Sequence, residues 1–325
     1  MRILVMGGTR FLGVATVEAL LRDGHEVTIF HRGSRQPDWS HPVDQIIGDR
    51  TIPDDLQTLR RLDAEVILDL SAYTADQTSK LLDVVPDFPR LVHVSTMNVY
   101  SPSPLLPWPE DLPYGPYPLW GTYAREKIGC ELALRERRPA PLTTVAIRLP
   151  LVLGPHNFIP REEFVLNRLL DRQTILLPGD GQAVHQYVDI QHAATALARA
   201  ATLSGPGFSA YNLASPRCNT SLAGFVEVCA AVSGTKPATR AIGGGPTGLD
   251  LPVFDTRNCV FPFTNENTVG ALDAAREAGL LSPFRDLHDM IEDAYAALRA
   301  APERRRWSRT ENEQKALDKI DAEAG

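Results

Sequence analysis

Two short stretches of this chain carry residues whose types and spacing could do chemistry. The first is Gly7-Gly8-Thr9-Arg10-Phe11-Leu12-Gly13. It lies between an apolar run at 2–6 and an amphipathic run at 11–22. Glycines let a backbone approach a pyrophosphate closely, and a helix N-terminus supplies N–H donors and a favourable dipole. Strand before, helix after and a second apolar run beyond make this a dinucleotide-binding turn rather than a plain tight turn. The cofactor-binding set read here is Gly7, Thr9, Arg10, Phe11, Leu12 and Gly13. The second stretch is Tyr123-Ala124-Arg125-Glu126-Lys127. A four-residue step on a helix puts Tyr123 and Lys127 on one face. A tyrosine is protonated at neutral pH, and a nearby ammonium together with a cationic nicotinamide would favour its phenolate. Such a phenol could move a proton to or from a carbinol oxygen while hydride moves at the cofactor. The spacing alone is common; its place downstream of five strands and a phosphate loop gives it weight.

The second strand ends in Phe30-His31-Arg32-Gly33. An NAD site usually carries Asp or Glu there, for the adenine ribose hydroxyls. His31 and Arg32, with Arg10 nearby, fit a 2′-phosphate held by two guanidinium groups. The cofactor expected is therefore NADP, with NAD as the alternative.

These groups need elements to position them. Apolar runs at 2–6, 27–30, 45–47, 66–70 and 91–94 alternate with helical stretches at 11–22, 54–62 and 75–85. That alternation predicts βαβ units and a parallel sheet covered on both faces. A long helix is expected over 119–138 and a strand at 144–148. Helices near 162–172, 190–203, 221–233, 272–278 and 287–298 follow, with short strands at 175–177, 185–188 and 211–213. Residues 242–246 read as a glycine-rich loop, and the proline-rich stretch 102–118 as a lid over the site or a packed surface loop. The fold class is α/β: a Rossmann-type doubly wound parallel sheet with a smaller C-terminal α+β substrate domain. The expected division is 1–155 for the dinucleotide domain, with about 185–204 rejoining it, 156–310 for the substrate domain, and 311–325 as a charged helical tail. Asp180 reads as part of a turn and Asp189 as a helix cap. Arg304-Arg305-Arg306 reads as a solvated basic run.

The chain has 325 residues, 43% hydrophobic and 22% charged, with a formal charge of −7; these are the proportions of a globular protein, and the acidic balance weighs against nucleic acid as partner. Four cysteines without C-x-x-C spacing predict neither disulfides nor zinc. No metal site is expected. No apolar run is long enough to span a membrane, and the amino-terminal segment lacks the pattern of a signal peptide. A cytoplasmic location follows as an expectation.

The motifs GGTRFLG (7–13), GDR (48–50), VHVSTMNVY (92–100), YAREK (123–127), RLPLVLGP (148–155), LPGDG (177–181), YVDIQHAA (187–194) and YNLAS (211–215) resemble the extended short-chain dehydrogenase/reductases, the NAD(P)-dependent epimerase/dehydratase family. The resemblance implies that Thr96 bonds the reacting oxygen, Tyr123 is the acid/base, and Lys127 binds the nicotinamide ribose and lowers the tyrosine pKa. It implies that Asp49 accepts from the adenine amino group, with Arg50 beside it. Leu70, Ser71 and Ala72 would lie along the cofactor, Pro150 against the nicotinamide, and 154–158 would open the substrate region. A homodimer on the Tyr-bearing helix and its neighbour is also implied. Arg10, where the family's middle glycine belongs, resembles a divergent branch that includes chloroplast stem-loop RNA-binding proteins. The segment Thr96-Met97-Asn98 lacks the Asp/Glu pair of the 4,6-dehydratases and the cysteine of the epimerase-reductases. The expected activity is oxidation–reduction or 4-epimerisation of a sugar-like or nucleotide-sugar substrate. The alternative is a nucleotide-binding regulatory or RNA-binding protein on the same fold.

Overall fold

The computed structural model describes residues 1–85, 89–115, 118–136, 143–243, 245, 249, 254–281 and 285–324. A parallel sheet of seven strands forms its centre: β1 (Arg2–Met6), β2 (Glu26–His31), β3 (Asp44–Ile47), β4 (Val66–Asp69), β5 (Arg90–Thr96), β6 (Thr143–Leu149) and β10 (Gly207–Asn212). Their spatial order is β10-β6-β5-β4-β1-β2-β3. The order reverses beside β1, the switch point at which such sheets open a crevice at their carboxyl edge. Strand alternation decides the two faces. Ile3 and Val5 join one buried cluster with helices α1 (Leu12–Arg22) and α6 (Ile190–Ala200). Leu4 and Met6 join another with α2 (Pro53–Gln57), α3 (Ala75–Val84) and α4 (Gly121–Glu136).

The register places the functional loops together. Met6 lies opposite both Phe30 and Asp69, and Thr96 opposite Leu149. The segments after β1, β2, β4, β5 and β6 therefore leave the sheet at one edge. Helix starts are set by side chains where the sequence provides them: Thr74 accepts from the Gln77 N–H at α3, and Asp189 from the Gln191 and His192 N–H groups at α6.

The remaining elements build a smaller body around a second core. Helices α5 (Arg161–Leu170), α7 (Leu222–Ser233) and α9 (Leu287–Ala300) pack around Phe225, Phe261 and Phe263. A three-stranded sheet joins β7 (Leu151–Leu153), β9 (Val184–Asp189) and β11 (Asn219–Ser221), and a pair joins β8 (Ile175–Pro178) to β12 (Thr239–Ile242). A short α8 (Asp273–Glu277) completes the set before α10 (Glu311–Ala324). Strand β10 begins at Gly207, beyond the 185–204 segment, and belongs to the main sheet. Helix α10 is docked: Glu313 and Ala316 are buried, and Ala316 packs with Leu176, Ile242 and Val260. Ile242 ends β12 and is buried; of the rest of the expected loop, Gly244 and Pro246 lie outside the described residues. So do Pro116 and Tyr117 of the proline-rich stretch, Arg137 and Arg138 at the expected end of the long helix, and the Arg304 side chain.

Candidate functional site: a dinucleotide cleft and an adjoining cavity

The loop after β1 turns on Gly7 (φ 102°) and Gly8 (φ 95°). Gly13 is required by close approach: a Cβ there would lie 2.9 Å from the Gly8 Cα. Arg10 adopts an ordinary φ in place of a glycine, and the following Phe11 takes the left-handed conformation instead (φ 46°). No side chain caps α1; the Gly13 N–H donates to the Arg10 carbonyl at 2.9 Å, and the uncapped helix start suits an anionic ligand. A cleft of about 440 Å³ runs along this loop, lined by Gly7, Thr9, Arg10, Phe11, Leu12 and Gly13, then by Leu70, Ser71, Thr96, Tyr123 and Pro150. It continues through Thr9, Arg32 and Ser71 into a chamber of about 470 Å³ walled by Phe30, His31, Arg32, Asp49 and Arg50.

At this far end the side chains divide their work. Asp49 accepts from the Thr51 N–H (2.9 Å) and hydroxyl (2.8 Å), bonds that hold its carboxyl below the usual range. His31 has both ring nitrogens engaged, one with Gln45 Oε1 at 2.9 Å and the other with the Gly33 N–H at 3.2 Å. Arg50 is turned into the protein. It makes a bidentate pair with Asp69 (2.7 and 2.9 Å) and donates to Ser71 Oγ at 2.8 Å; it ties the loops after β3 and β4 together. Arg10 lies over the Phe158 ring, 4.2 Å from its centroid. Arg10 and Arg32 both line the cleft, and of the two only Arg32 also lines the far chamber.

At the near end, Thr96 closes β5 and caps a short 3-10 turn, its hydroxyl oxygen accepting from the Asn98 N–H at 3.2 Å. That leaves its proton free, and Thr96 lines the same cleft and cavity walls as Tyr123. Tyr123 is 37% exposed, on the cleft wall. Desolvation of the hydroxyl, followed by the neighbouring Tyr73, raises its pKa to about 12, while Thr96 and Arg161 oppose the rise. Lys127 departs from the expected role. It is 5% exposed, and its ammonium donates to the carbonyls of Ala72 (2.9 Å) and Val94 (2.6 Å) and to His93 Nε2 (3.2 Å). Three donors meet three acceptors, and Lys127 is not among the residues that line the cleft. Ala72 is buried and serves through that carbonyl. Burial, then Lys127, pushes the His93 imidazole well below its ordinary value.

Beyond Tyr123 the cleft opens into a cavity of about 650 Å³. Its wall combines aromatic faces (Tyr73, Trp120, Phe158, Phe254) with polar groups (Thr96, Asn98, Arg161, Thr264). Trp120 and Phe254 meet edge to face at 5.2 Å. A further chamber of about 610 Å³ adjoins it through Phe158, Ile159, Thr256 and Arg257, and reaches Asn167, Arg306 and Trp307. The motif reading missed Tyr73, Arg161 and Phe254. Arg161 follows the 154–158 segment by three residues, which is the one signal that pointed toward it. Asp180 accepts from the Gln182 N–H within its turn, apart from the Asp189 cap. The proline-rich stretch is anchored rather than loose: Trp108 packs edge-on against Tyr100, and Tyr114 donates to Glu131 at 2.7 Å.

The sheet order, the glycine loop and the Thr96–Tyr123 pair at the carboxyl edge form one arrangement, and comparison with known proteins agrees with it. The NAD dependent epimerase/dehydratase family model matches residues 3–214. The chain belongs to that family. Among solved structures, the dTDP-glucose 4,6-dehydratase of Bacillus anthracis in complex with NAD superposes with a TM-score of 0.75 at 18% identity, covering 93% of this chain and 98% of that one. The UDP-glucose 4-epimerase of Bifidobacterium longum, in complex with NAD+ and UDP, gives 0.75 at 16% identity over 93% and 99%. Over 308 residues, the chain is 24% identical to the chloroplast stem-loop binding protein of 41 kDa b of Arabidopsis thaliana, 90% of this chain and 78% of that protein. Among the described residues, no helix is long and apolar enough to cross a membrane.

Proposed function

We propose that this family member oxidises and reduces, or epimerises, a carbinol on a sugar-like or nucleotide-sugar substrate, with Tyr123 as acid/base. The observation that carries the reading is the Thr96–Tyr123 hydroxyl pair on the wall common to the cofactor cleft and the larger cavity. A nicotinamide bound in the cleft would accept or return the hydride. Thr96 orients the phenol and donates to its oxygen; Tyr123 takes or gives the carbinol proton; Pro150 and Leu149 bound the cleft on the side of β6. The alternation of aromatic faces and hydroxyl or amide groups suits a polyhydroxylated ring, and the adjoining chamber with Trp307 and Arg257 suits the nucleoside and phosphates of a nucleotide-sugar. Lys127 acts on the cofactor in this reading only after exchanging one of its three acceptors for the ribose; otherwise it sets the spacing between β5, α4 and the segment after β4. Arg32, exposed at the far chamber, supports NADP over NAD through a single guanidinium. The main sheet with α1–α4 and α6 forms the dinucleotide domain, and the second body the substrate domain. A homodimer on α3 and α4 would bring together outward residues that include Asp76, Asp83, Arg125, Glu126 and Glu136, mostly of one sign, so its sedimentation should shift toward dimer as salt rises.

The test is oxidation of NADPH and NADH with keto-sugar and nucleotide-sugar panels, beside epimer analysis of UDP-glucose. Tyr123→Phe should remove turnover, with a loss of about 100-fold or more, while fluorescence titration shows cofactor binding unchanged. Equal, near-zero rates in both proteins would sink the enzymatic reading. The likeness to a stem-loop binding protein supports a second reading, RNA binding on the same fold. A mobility shift with stem-loop RNA that cofactor does not alter, alongside absent turnover, would favour it.

A further inference from the structure

Among the described residues, the buried arginines pair with carboxylates, although Arg50 leaves its Nε unmet, as do the half-buried Arg90 and Arg161. Arg50 meets Asp69, Arg148 meets Glu131, and Arg168 meets Glu313, each within 2.7 Å. Arg161 opens α5 on the wall shared by the cofactor cleft and the large cavity, with Thr96 and Tyr123. Its Nε is buried without a hydrogen-bond partner. The carboxylate beside it in sequence, Glu162, is spent elsewhere: it accepts from the Gly154 N–H at 2.7 Å and the Asn157 side-chain amide at 3.5 Å. Leaving a guanidinium donor buried and unmet is costly, more so than for a neutral group. The cavity supplies the room, and the planar fork of an arginine matches the two oxygens of a carboxylate.

We propose that the substrate brings the missing partner: Arg161 receives a carboxylate of an acid-bearing sugar, close to the carbinol that faces Tyr123. A single guanidinium balances a monoanion; the other cation of the wall, Arg257, faces Asp255 at 3.6 Å, so a doubly charged phosphoryl group would find little further positive charge. This rests on the reading of the cavity as the substrate site.

UDP-glucuronate and UDP-glucose differ only at the group in question, and calorimetric titration of both into the full chain tests the idea. The wild-type protein should bind UDP-glucuronate about tenfold more tightly. Arg161→Gln should erase that preference, and Arg161→Lys, which keeps the charge, should retain part of it. Circular dichroism of the variants separates misfolding from loss of the contact. Equal affinities in the wild type, binding of neither sugar, or a preference that survives Arg161→Gln overturns the assignment. So does an Arg161→Gln variant whose only change is weaker NADPH binding, which gives the guanidinium to the cofactor. Turnover of a neutral sugar with no acid preference would leave the proposed function standing and this inference fallen.

Discussion

Tyr123 and Lys127 share a helix face, yet they end in different environments. Their spacing on one helix was legible, because a helical step is a local property. The acceptors that hold the Lys127 ammonium were not, since two are backbone carbonyls from other segments, at Ala72 and Val94, and residue type says nothing about where a carbonyl points. Lys127→Ala should therefore cost stability as well as activity, about 1–3 kcal/mol by urea denaturation, because buried carbonyls lose their donor. Arg50 was read as a cofactor ligand for a similar reason: GDR is a motif, but its partner Asp69 lies on another strand. Arg50 holds the Asp69 carboxyl down to about 2, against an ordinary 3.8, although burial alone would raise it. The folded value lies below the unfolded one. The contribution, of order 2 kcal/mol, is thus complete above about pH 4 and fades as pH falls toward 2. Asp69→Asn should flatten that acid limb in a stability–pH profile; an unchanged limb would show that the pair does not act this way.

At the level of elements, the inner strands β1, β4, β5 and β6 of the main sheet were legible because they are buried almost throughout and carry apolar runs. Strands β7, β11 and β12 were not. Asn219–Ser221 contains no apolar residue, and three of the four residues of Thr239–Ile242 are exposed. Such strands exist because a neighbour pairs with them, not because their sequence demands it. The glycine loop was legible as the link between β1 and α1, but the positive φ of Phe11 was not, because it depends on the path into α1. Gly13→Ala would push a Cβ against the Gly8 backbone. The loop must open to relieve it, and cofactor affinity should fall about tenfold or more in a fluorescence titration, with little change in the fold by circular dichroism. Cofactor binding within twofold of wild type would show that the loop absorbs the methyl group.

The whole molecule sets two cores side by side, with the cleft along one and the cavity wall drawn partly from the other. A ligand that spans both stabilises the folded state by mass action, about 2.7 kcal/mol at a hundredfold excess over Kd. NADPH should therefore raise Tm more than NADH at equal concentration, and Arg32→Asp should reverse the order; identical shifts for the two cofactors would remove Arg32 from the choice. The second core was the least legible part of the chain, because its contacts join segments far apart in sequence. Helix α10 shows this best. Charged composition made it read as a tail, yet Glu313 reaches Arg168, whose guanidinium lies 3.3 Å from the Phe164 ring centroid and 4.3 Å from that of Trp307. Arg168 and Arg161 are on the same helix. Fusing a partner or trimming residues at this end of the polypeptide is therefore no innocent change for an assay: whatever loosens the Glu313 clasp also loosens the helix that presents Arg161, and a truncated preparation could be mistaken for an inactive enzyme.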